Sequence, residues 1–99
     1  MSTVPVDAYV LETLMPDLVG HDRSPSAFLV YLHLWHRTAG AKGRRAAVSL
    51  AQLAEDTGLS KSAVQAALRL LKRRKLVKAE RANLTAVPVH EVLRPWVRK

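Results

Sequence analysis

Between residues 60 and 75 the polar side chains recur at helical spacing: Lys61, Ser62, Gln65, Arg69 and Lys72. Their chemistry is hydrogen bonding and charge pairing, not bond making. A glutamine amide matches the donor–acceptor edge of adenine, and an arginine fork matches the acceptor pair of guanine. Gln65 and Arg69 are therefore the candidate base readers. Ser62 stands with them, able to meet a base edge or a phosphate. Ser60, Lys61, Lys72 and Arg73 suit phosphate oxygens, contacts that add affinity without reading sequence. The alternative for such a row is an ordinary solvated helix face, and for Arg73, Arg74 and Lys75 a simple complement to the helix dipole.

Other chemistries find little support. Ser24, Ser49 and Ser60 read as helix caps, not nucleophiles. There is no Gly-rich phosphate loop, triad signature or catalytic carboxylate pair, so no catalytic residue and no enzyme activity is expected. His33 and His36 lie three apart, with His21 and His90 elsewhere, and that spacing offers too few ligands for a metal. No cofactor is expected. The absence of cysteine excludes disulfides and Cys-ligated zinc.

Charge supports a polyanionic partner. The 99-residue chain carries +8. Residues 1–36 hold Asp7, Glu12, Asp17 and Asp22 against Arg23, a net −3. Residues 37–99 hold fifteen Lys and Arg against Glu55, Asp56, Glu80 and Glu91, a net +11. A polyanion would be repelled by the first part and drawn to the second. No apolar run approaches the roughly 20 residues of a membrane span, and no secretory signal is evident. A cytoplasmic, nucleoid-associated protein without membrane contact is the expectation.

The elements that must position these residues follow from periodicity. Residues 7–19 form a first helix on Tyr9, Val10, Leu11, Leu14, Leu18 and Val19, ended or kinked near Met15 by Pro16. Ser24 and Pro25 open a second helix, running to about Thr38, which is apolar on most sides and so central. After a loop holding Lys42, Arg44 and Arg45, Ala46–Val48 makes a short strand. Ser49 and Gln52 form a capping box for a third helix, which Gly58 ends.

Ser60 caps the fourth helix, with Leu59 and Val64 placed as a hydrophobic staple, and the helix extends to about Lys75. Val64, Ala67, Leu68 and Leu71 are its inward stripe. Residues 76–80 and 84–87 read as two strands around a turn at Arg81-Ala82-Asn83, with Pro88 at the end of the return. Lys78, Arg81 and Asn83 lie on this hairpin. Val92, Leu93, Trp96 and Val97 should fold back as an apolar clamp. The fold class is α+β: mainly α with a small β-hairpin, in the order helix, helix, short strand, helix, helix, two-stranded hairpin. The whole chain is one domain.

The order of these elements, with Ala54, Gly58 and Val64 at their spacing, resembles the winged helix-turn-helix superfamily. The run Thr57-Gly58-Leu59-Ser60 with Val64, Leu68, Leu71 and Leu76-Val77 is similar to the DNA-binding core of MarR-type and GntR-type regulators. It is also similar to the N-terminal domains of plasmid and phage replication initiators. The likeness covers residues 24–89. It implies a helix-turn-helix over 49–75, a recognition helix at 60–75, a wing at 76–89 and a tail at 90–99.

The leading expectation is sequence-specific binding of double-stranded DNA by a small bacterial-type transcription regulator. A replication-initiation module and a winged-helix protein-interaction adaptor are the alternatives, and a role on RNA is a weaker third. Lys42, Arg44, Arg45, Lys78, Arg81 and Asn83 join the backbone contacts. With no effector domain in view, no small-molecule effector is expected. Residues 1–22, acidic and richly apolar, suggest a homodimer that pairs two recognition helices on DNA.

Overall fold

Three serines start the three α-helices. The side-chain oxygens of Ser24, Ser49 and Ser60 accept the backbone N–H of Ala27, Gln52 and Ala63 at 3.3, 3.0 and 3.1 Å. Each satisfies a donor that has no partner inside the first helical turn. The computed structural model describes residues 2–97. The helices so capped are α1 (Pro25–Thr38), α2 (Leu50–Thr57) and α3 (Lys61–Arg73). Two π-helical segments, Val10–Leu14 and Pro16–His21, precede them. A 3-10 turn at Lys42–Arg44 leads into β1 (Arg45–Ala47), and β2 (Val77–Glu80) and β3 (Val89–Val92) follow α3. The strands form one antiparallel sheet in the order β1-β3-β2. This is a winged helix-turn-helix.

One core joins the helical segments and the sheet. α1 runs through it on Ala27, Phe28, Val30, Tyr31, Leu34 and Trp35; α2 adds Leu53; α3 adds Val64, Ala67, Leu68 and Leu71. The helix-turn-helix turns at Gly58, whose φ of 79° and ψ of 8° are left-handed, with its N–H bonded to Ala54 O at 2.9 Å. Only glycine enters that region without strain from a Cβ.

The first helix does not stop at Pro16. It continues to His21 in a wider winding, the Met15 N–H reaching back to Val10 O. Proline has no N–H to offer, and its ring crowds the carbonyl four residues back in an α-helix; a wider turn relieves both problems. The spacing of the apolar residues agrees. Val10, Leu14 and Leu18 are buried at strict intervals of four. In an α-helix such a row drifts by roughly 40° per step, and a wider winding, turning less per residue, lessens that drift.

Five further expectations are corrected. The return strand is Val89–Val92, not residues 84–87, with Val77 opposite Val92 and Glu80 opposite Val89. Residues 81–88 form the wing loop instead, because Asn83 closes a turn on Thr85 and Ala86. The tail therefore begins after Val92. α3 ends at Arg73, since Arg74 caps it and Lys75 takes a left-handed φ of 59°. Only half of the capping box forms: the Gln52 amide donates to Asp56 Oδ1 at 2.8 Å rather than returning to Ser49. The short strand begins one residue earlier than expected, at Arg45, and Val48 lies in the core beyond it.

The C-terminal segment closes on the N-terminal one. Trp96 stacks on Tyr9 at 4.5 Å between ring centres and donates to Asp7 Oδ2 at 3.1 Å. Tyr31 donates to Leu93 O and Trp35 to Pro5 O, both at 2.9 Å. Burial raises the Tyr31 phenol well above its usual range, so it stays a donor.

Candidate nucleic-acid interface

α3 divides its circumference cleanly. Val64, Ala67, Leu68 and Leu71 are buried at positions i, i+3, i+4 and i+7, while Lys61, Ser62, Gln65, Arg69 and Lys72 are exposed. Ser60 and Ser62 share a hydroxyl hydrogen bond of 3.2 Å at the N-terminus. Lys61, Arg69 and Lys72 take part in none of the ion pairs among the described residues. A row of cations and an amide thus stands ready on one face, its charge unpaired among the described residues.

A cleft of about 320 Å³ separates α3 from the wing. Gln65, Arg69 and Lys72 line one wall, and Ala79, Glu80 and Arg81 the other. His90 lies at its floor, 2% exposed, opposite Ala46 on one side and Ala79 on the other. Among the described residues neither ring nitrogen has a side-chain hydrogen-bond partner. Burial above all, then the Lys72 charge, holds the His90 pKa below its usual value; the Val48 main chain opposes this, and the Arg81 charge adds a lesser lowering. The ring is neutral at neutral pH.

Sheet register sorts the remaining cations. Arg45, Glu91 and Lys78 are cross-strand neighbours in one row. The face they share is opposite to that of Ala46, His90 and Ala79. Arg45 and Lys78 therefore point away from the cleft, and Arg45 also pairs with Glu80 at 3.4 Å. Arg44 is turned inward, its guanidinium 4.6 Å from the centre of the Trp35 ring and one nitrogen buried without a partner. Lys42 and Arg73 are exposed. Asn83 is exposed, but its amide oxygen is engaged by the Thr85 N–H and hydroxyl.

Sequence reasoning missed two residues. Arg74, read as part of a charge run, binds the carboxylates of Asp17 and Asp22 and ties the first helix to the end of α3. Its hydrogen bond to Asp17 raises its pKa still further. Asp17, His21 and Asp22 also lie close enough together to resemble a metal cluster; Arg74 already pairs with both carboxylates. His90, read only as a lone histidine, is the floor of the cleft.

Comparison with known proteins adds one finding. A family model described as a helix-turn-helix domain matches residues 24–77, from the cap of α1 to the first residue of β2. Neither the curated proteins nor the solved structures gave a match. Among the described residues no helix is long and apolar enough to cross a membrane.

Proposed function

The chain belongs to the helix-turn-helix domain family, and from that premise we propose that it binds double-stranded DNA sequence-specifically, as a small transcription regulator of the bacterial type. The observation that carries this reading is the exposed face of α3, whose cations have no ion-pair partners among the described residues. α3 enters the major groove with Gln65 and Arg69 against base edges and Ser62 beside them. Ser60, Lys61, Lys72 and Arg73 meet phosphates, as do Arg81 across the cleft and Lys42 at the flank. Arg45 and Lys78 contribute long-range attraction, Arg44 supports Trp35, and Asn83 shapes the wing loop.

The protein pairs on DNA through its N-terminal segment. Val10, Leu14 and Leu18 are consumed by the core, but Leu11, Met15 and Val19 form a second row at intervals of four and remain 38–48% exposed. The acidic character of residues 1–36 favours this part of the molecule facing away from phosphate.

Selection of bound sites from random duplex DNA, followed by a salt titration, tests the reading. A defined motif and a log–log slope of about 4–8 per bound chain are expected. Flat salt dependence, or no enrichment of any sequence, would refute it. Light scattering that shows a monomer at high concentration, with protection of a single unrepeated half-site, would refute the pairing.

A further inference from the structure

The wing loop presents one side chain that the fold does not use. Leu84 is 91% exposed, whereas the other large exposed apolar residues lie between 38% and 51%. A lone exposed leucine is ordinary on a protein surface. This one is held in place. The Ala86 N–H donates to Asn83 O at 3.2 Å, which makes Leu84 the second residue of a closed four-residue turn. The Asn83 amide oxygen accepts from Thr85 twice, at 3.0 and 2.9 Å. Arg81 donates to Leu84 O at 3.3 Å, so a cation is fastened directly behind the leucine. The cleft wall that carries Arg81 faces Arg69 and Lys72 of α3. An apolar point backed by positive charge, already ordered before any partner arrives, fits a partner that is anionic outside and apolar within. Stacked base pairs between phosphate strands have that character.

We propose that Leu84 is a wedge which the wing inserts into the minor groove, parting one base step and bending the duplex. The inference rests on the placement of α3 in the major groove. The dimensions allow it. The neighbouring minor groove lies about half of a roughly 35 Å helical turn away. The four residues of β2 span ~13 Å, and the wing loop extends beyond them to Leu84. Apolar side chains inserted at base steps unstack them and kink the helix toward the major groove, the side that α3 occupies.

The test is the linking number of a closed circular plasmid, relaxed by a topoisomerase in the presence of the full-length protein and then freed of it. Binding is measured in parallel on a linear mixed-sequence duplex of about three helical turns. Wild-type protein should lower the linking number. Leu84→Ala should bind the linear duplex and melt like wild type but lose the topological change, while Leu84→Phe should keep it. A wild-type chain that binds without changing the linking number, or a Leu84→Ala chain that changes it equally, overturns the wedge and leaves DNA binding intact. A wild-type chain that binds neither DNA overturns both readings.

Discussion

Replacing Gly58 separates backbone strain from packing, because the structure supplies only the first. The residue has a φ of 79°, and a Cβ built there would meet no atom within 4 Å. The cost of a side chain is then the cost of the left-handed conformation alone, about 1–2 kcal/mol for alanine. Asparagine tolerates that region better and should cost less, and valine, branched at Cβ, should cost most. In a domain of this size each kcal/mol moves Tm by about 4–8 °C, so Gly58→Ala should lower Tm by roughly 5–15 °C. Gly20 is the control. It lies within a π-helical segment, has equally open surroundings and no positive φ. There, alanine restricts the unfolded chain without straining the folded one and should raise stability by about 0.4–1 kcal/mol. Thermal melting followed by circular dichroism, at one pH and one salt concentration, reads both. Opposite signs for the two alanine variants, and the order Asn, Ala, Val at position 58, are expected. Shifts of the same sign, or a Gly58→Val midpoint equal to wild type, would show that this turn does not impose the conformation described.

Three other outcomes follow from named contacts. Gln65→Ala and Arg69→Ala should each relax the selected motif at one position, at a cost of about 1–3 kcal/mol, while Lys42→Ala and Arg81→Ala weaken all sequences alike in binding titrations. An unchanged motif with Arg69→Ala would place α3 wrongly. Arg74→Ala removes the partner of Asp17 and Asp22, partly buried pairs together worth about 1 kcal/mol. Denaturant unfolding should show that loss at low salt and a smaller one at high salt. Because the His90 pKa is lowered by burial, the unfolded chain takes up a proton there more readily than the folded one. That contribution to stability is complete above the unfolded value of about 6.5 and is lost as pH falls below it. His90→Leu should flatten this slope of Tm against pH, and an equal slope in both proteins would refute the assignment.

What could be read from the chain was what is settled locally. The Ser24, Ser49 and Ser60 caps each act over three residues, and the Gly58 turn over four, so residue type and spacing were enough. The inward stripe of α3 followed from period alone. The first helix needed more. Pro16 reads as a stop under α-helical rules, and only the intervals of four among Val10, Leu14 and Leu18 hinted at a wider winding. The return strand was lost for a tertiary reason. Leu84-Thr85-Ala86-Val87 alternates well in isolation, but β3 must satisfy partners on both edges, β1 and β2, and only residues 89–92 do so.

The interface was legible on α3 and obscure on the wing, and the difference lies in the sheet register. On a helix, the face of Gln65 and Arg69 is fixed once Val64 and Leu68 are buried. On the wing, the choice between Lys78 and its neighbours depends on whether β3 buries His90 or Glu91. A slip of one residue would exchange them and reverse every side chain of the strand. Burial favours the histidine. It becomes neutral by releasing a proton that neutral pH readily accepts, whereas a buried carboxylate must bind one against its usual pKa. With His90 inside, Glu91 goes outside, and Arg45 and Lys78 go with it as cross-strand neighbours. The cleft against α3 is then lined by Ala79 and Arg81, not by Lys78. The same buried, uncharged histidine thus selects which wing cation stands beside Arg69 and Lys72.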